Sequence, residues 1–182
     1  MTSAHSLTTI VQMYRKRNLP RLESHLASYK DLSLYEAIRR AAMAERFNES
    51  KNQWNRHDHQ RRLKRSSLEA AYESLQGVAF SECKSFHDVF LIVEKAIGSI
   101  PGVGELMVYD TSLRIGANLG LEPERVYLHS GTRKGAARLG LRTESDWLLP
   151  TQLPTDLQTL TPSQVEDLLC IYKDYLGSDH LE

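Results

Sequence analysis

Ile100-Pro101-Gly102-Val103-Gly104 joins two segments that both carry the apolar spacing of a helix. Upstream, residues 85–97 set Phe86, Val89, Phe90 and Val93 on one stripe, with Ser85 placed to cap the start and Gly98 to end it. Downstream, Leu106, Val108, Leu113, Ile115, Ala117 and Leu119 again fit a helix, closed by Gly120. Glycines at the second and fourth positions of the four-residue turn Pro101-Gly102-Val103-Gly104 let two helices meet tightly. They also bare backbone N–H groups at the start of the second helix, where the dipole is positive and an anion is welcome. Glu105 stands at that same start; its carboxylate suits the helix and opposes a phosphate.

The rest of the composition is consistent with a soluble helical chain. Its 182 residues, 41% apolar and 25% charged, suffice for one domain with a sizeable core. Two cysteines far apart, Cys83 and Cys170, make no disulfide framework and suit a reducing compartment. No apolar run approaches the ~20 residues of a membrane span, and the first residues lack a basic-then-apolar pattern, so a cytoplasmic protein without membrane contact is expected. The formal net charge of zero hides an asymmetry. Residues 51–65 hold six Lys/Arg against Asp58, whereas residues 143–182 hold eight acids against Lys173. Such polarity predicts a positive surface for an anionic partner and an acidic end facing solvent or a basic partner.

Along the chain the pattern predicts an all-α, compact multi-helix single domain. A first helix over 7–17 stops near Pro20, followed by a short turn over 21–28. Ser33 and Glu36 form a capping-box pattern that opens a helix to about residue 47. Residues 48–59 are polar and are predicted as an exposed loop; Ser66 or Ser67 starts a helix that ends at Gly77. Residues 123–129 are short and either helical or extended, and 130–139 form a turn and helix. Pro150, Pro154 and Pro162 interrupt the region after Trp147, and the last helix is signed by Thr161, Pro162 and Gln164. Three stretches result: 7–80 with the basic loop 48–65, 85–141 with the hairpin, and 142–182, acidic with a terminal helix.

The turn resembles the hairpin of helix-hairpin-helix proteins, which grip nucleic-acid backbones without reading sequence. The resemblance implies phosphate contact at Gly102, Val103 and Gly104. It continues into Asp110-Thr111-Ser112-Leu113-Arg114-Ile115-Gly116-Ala117-Asn118-Leu119-Gly120, which is similar to the segment of helix-hairpin-helix DNA glycosylases where a catalytic aspartate opens a helix. On that likeness Asp110 would stabilise an oxocarbenium-like centre or activate water at a flipped nucleotide.

Two further segments offer anion chemistry. Ser130, Thr132, Arg133 and Lys134 gather hydroxyls and cations at a predicted helix start. In the basic loop, Arg56, Arg61, Arg62 and Lys64 can neutralise phosphates, Trp54 can stack on a base, and His57 and His59 can work as an acid–base pair. As metal ligands, His57 with His59 and Cys83 with His87 lack the tight pairs of zinc sites, so no metal and no cofactor is expected. Tyr35, Ile38, Ala42, Phe86, Val89, Phe90, Val93, Leu106, Leu113, Leu168, Leu169 and Tyr172 are predicted as core. The functional expectation is nucleic-acid binding, double-stranded DNA first, with glycosylase-like base excision as its enzymatic extension. The alternatives are a helical accessory subunit that engages a protein through the basic loop or the acidic region, and a small enzyme for a phosphorylated metabolite at residues 129–134.

Overall fold

The protein is described from a computed structural model over residues 6–57 and 60–177. It is mostly helical, with eight α-helices and two two-stranded sheets among the described residues. In chain order these are α1 (Leu7–Arg17), α2 (Leu19–Lys30), α3 (Leu34–Ala42), β1 (Glu45–Asn48), β2 (Gln53–Arg56), α4 (Arg65–Leu75), α5 (Phe86–Ile97), α6 (Glu105–Leu119), β3 (Val126–Tyr127), α7 (Ser130–Arg138), β4 (Trp147–Leu148) and α8 (Pro162–Tyr172). None of the helices is long and apolar enough to cross a membrane.

Among the described residues the chain packs as two compact units, one within 23–122 and the other made of 6–22 with 123–177. Each has its own apolar cluster. In the first, Tyr29, Ala41, Leu68, Phe80, Val89, Val93, Ile97 and Ile115 are buried. In the second, Ile10, Tyr14, Leu139, Leu157, Val165, Leu168 and Leu169 are buried.

Local signals set most helix ends. Ser85 and Asp88 exchange both bonds of a capping box on α5, as do Thr161 and Gln164 on α8. Gly120 closes α6 at φ +72°, a left-handed conformation that side chains resist. Ser33 caps α3, but Glu36 turns to Arg39 and Arg40 instead of closing the box. α1 stops at Arg17 as expected, but Pro20 sits within the first turn of α2, where a missing N–H costs nothing, and α2 runs for twelve residues where a short turn over 21–28 was predicted.

The stretch 42–57 departs most from the all-helical expectation. α3 stops at Ala42, Ala44 takes φ +55°, and the predicted loop folds as an antiparallel hairpin with Phe47 opposite Trp54. Neither Ser66 nor Ser67 caps α4; Lys64 precedes it, and buried Ser67 donates its hydroxyl to the Pro101 carbonyl at 2.7 Å. The short stretch before α7 is extended and pairs with β4. Tyr35, predicted as core, is 65% exposed and hydrogen-bonds the Tyr72 hydroxyl.

Candidate functional site

In the turn between α5 and α6 only Gly102 takes a conformation that calls for glycine. Gly102 sits at φ +90°, and the Val103 N–H donates back to the Ile100 carbonyl. That amide is therefore used inside the turn, which removes Val103 from the three expected phosphate contacts. Gly104 is the extended N-cap of α6 and brings no side chain to the first turn. Beside it lies a groove of 340 Å³ lined by Phe90, Glu94, Gly98, Ser99, Glu105 and Val108. Two carboxylates at this groove keep an anion out of it.

One and a half turns further along α6 lies a polar cluster in the residue 23–122 unit. Arg114 is only 2% exposed, although it occurs in an otherwise apolar part of α6. Its Nη2 donates to Gln60 Oε1 at 3.1 Å and to Asp110 Oδ2 at 3.3 Å, and its Nε donates to His25 Nε2 at 3.2 Å. Gln60, 3% exposed, completes the ring by donating to Asp110 Oδ2 at 3.0 Å and to the Met107 sulfur. The His57 ring lies 5.4 Å from that of His25, and Tyr29 meets His25 edge-on. Because Nε2 of His25 accepts from arginine, the neutral ring carries its hydrogen on Nδ1. Burial first, then the positive charges of Arg114, His57 and Arg46, holds protonation of His25 well below its usual range. Among the described residues, Nδ1 of His25 and Nη1 of Arg114 are buried donors with no partner. Tyr29 has its hydroxyl on the Glu45 carbonyl, and burial raises its pKa.

Asp110 and His57 were expected as site residues from sequence, and in the fold Asp110 bonds Arg114 while His57 lies beside His25, the other partner of that arginine. Their companions His25, Gln60 and Arg114 were missed. One signal was present for Arg114: a cation in the otherwise apolar helix segment Leu113 to Ala117.

The basic segment divides in two. Arg61, Arg62 and Lys64 are exposed, directly after the buried Gln60. Trp54 is no stacking platform: Arg40 lies 4.3 Å over its ring, and Tyr29 and Phe47 pack against it. Arg56 is half-buried and donates to the Leu63 carbonyl. His59 and Asp58 lie outside the described residues.

The predicted anion turn at 130–134 belongs to the other unit and has a different chemistry. His129, not Ser130, caps α7, accepting the Gly131 N–H on Nδ1 at 3.2 Å. Arg133 clamps the following loop, donating to the carbonyls of Thr143, Ser145 and Leu128. Lys134 pairs with Asp174 at 3.3 Å, and Ser130 is exposed. Thr132 is fully buried and donates to Glu166 Oε1 at 2.9 Å, and its oxygen lies 2.8 Å from His129 Nε2. His129 Nε2 also bonds Glu166 directly. A buried carboxylate at its centre argues against a phosphate there, because the two negative charges repel.

No protein-family model, curated protein or solved structure matches the chain.

Proposed function

We propose that residues 23–122 bind the phosphate backbone of nucleic acid, double-stranded DNA first, through the turn at Gly102 and Gly104 and through Arg61, Arg62 and Lys64. The observation that carries the reading is Gln60. It belongs to the basic segment, yet its side chain is bonded to Met107, Asp110 and Arg114 of α6, the helix the turn begins. The exposed cations that follow it are thus tethered to the same helix whose N-terminus is bare of a side-chain cap. Glu94 and Glu105 confine phosphate contact to the outside of the turn. The enzymatic extension assigns Asp110 the chemical role, with Arg114 and Gln60 orienting its carboxylate, as base excision at a flipped nucleotide would require.

The test is a binding titration of the full chain on a short duplex at several salt concentrations. Binding should fall steeply with salt, and replacing Arg61, Arg62 and Lys64 together by alanine should lower the slope of log K against log salt by about 2–3. Absent or salt-insensitive binding overturns the reading. Asp110→Asn should leave duplex binding intact, because the amide oxygen still accepts from Gln60 and Arg114, while abolishing any base excision. A second reading rests on the groove between α5 and α6: its apolar floor and paired glutamates suit a basic amphipathic protein segment.

A further inference from the structure

We propose that His129, Glu166 and Cys170, in the unit that the nucleic-acid reading does not use, form a binding site for a divalent transition-metal ion of the zinc type. One nitrogen, one oxygen and one sulfur donor lie within 4.8 Å of one another. His129 is 4% and Glu166 6% exposed, and Cys170 is half-buried. Glu166 and Cys170 stand four apart on α8 and so share a face. His129 comes from the cap of α7.

The backbone makes room for the sulfur. A Cβ on Gly131 would stand 2.8 Å from Cys170 Sγ and 3.3 Å from the His129 ring, so glycine leaves a cradle that any other residue would fill. Gly135, one turn on, lets α7 and α8 approach until a Cβ there would lie 2.3 Å from the Leu169 carbonyl oxygen. That approach brings the cap of one helix against the ligand face of the other.

Charge and donor type agree with the metal class. A thiolate and a carboxylate together carry two negative charges in a mostly buried place, and a divalent ion leaves the set neutral. Sulfur and imidazole select zinc-like ions over magnesium or calcium. Three protein donors leave a fourth position for water.

The proton balance is simple. Without metal, the Gly131 N–H on Nδ1 leaves the imidazole hydrogen on Nε2, shared with Glu166 and Thr132. Metal at Nε2 moves that hydrogen to Nδ1 and releases the Gly131 cap bond. The Cys170 thiol gives its proton to water, the S–metal bond forms, and Glu166 binds as the carboxylate. No electron changes hands.

The experiment uses the chelator-treated full chain with zinc chloride in calorimetry, metal content after dialysis, and cobalt(II) as a spectroscopic stand-in. One zinc per chain is expected, with Kd below about 1 μM, and the cobalt form should show a thiolate charge-transfer band. Cys170→Ser should remove that band and weaken zinc binding by more than about 100-fold, since changes beyond the ligands alone already cost about 10–100-fold; Cys83→Ser should keep both. Glu166→Gln should keep the band and weaken affinity. A wild-type cobalt spectrum without the thiolate band, or zinc lost on dialysis, overturns the proposal. So does a band that survives Cys170→Ser.

Discussion

His25 is kept uncharged by its surroundings, and this makes stability depend on pH in a definite direction. Its folded pKa lies well below the ordinary value because burial and the neighbouring Arg114 disfavour the cation. The unfolded chain therefore binds a proton more readily, and stability rises with pH wherever that difference holds. The contribution is fully present above the unfolded value of about 6.5 and is lost as pH falls below it. Denaturant midpoints should drop between about pH 7 and pH 5.5 in the wild type, and by clearly less in His25→Gln, which removes this proton. Equal drops in both proteins would refute the assignment. Arg114 is the other half of this residue-scale design. With Nη2 on Asp110 and Gln60, truncation to alanine should cost about 3–5 kcal/mol, the usual penalty for stranding one member of a buried pair, read from the urea midpoint. A loss under about 1 kcal/mol would mean that the pair is solvent-like.

At the scale of elements, the contact of α7 with α8 depends on a missing methyl group. Gly135→Ala normally helps a helix by about 1 kcal/mol. Here the Cβ meets the Leu169 backbone, and overpacking of about 1–3 kcal/mol or more should prevail, so the urea midpoint should fall. A rise would refute the close approach. Elements of this kind were unevenly legible in the sequence. The cap at Ser85 and the capping box at Thr161 could be read because every group involved lies within four residues. The hairpin over 45–56 could not. Its strands, Glu-Arg-Phe-Asn and Gln-Trp-Asn-Arg, lack β-branched residues and apolar alternation, and what holds them is Trp54 against Tyr29, Phe47 and Arg40. The candidate site was half legible for the same reason. Asp110 stood in a readable helix, but its partner Gln60 lies 50 residues away and His25 lies 89 residues from Arg114, distances no local pattern spans. Arg133 misled because a cation at a helix start looks the same whether it awaits a phosphate or clamps three carbonyls.

For the whole molecule, two apolar clusters in two units predict more than one unfolding event. Calorimetry should resolve two transitions, or a van't Hoff enthalpy below the calorimetric one. Duplex DNA should raise only the transition of residues 23–122 and zinc only the other, each by mass action. One two-state transition moved by both ligands would refute the division. The order of the units along the chain has a further consequence. α1 packs with α8, and its Arg15 bonds Thr159, 144 positions later. As the chain leaves the ribosome, residues 23–122 can fold as soon as they emerge, because every partner they need is already made. α1 emerges before them, yet it must wait with Leu7, Ile10, Val11 and Tyr14 uncovered until α8 is synthesised. Throughout that interval its apolar face is a natural landing place for a chaperone.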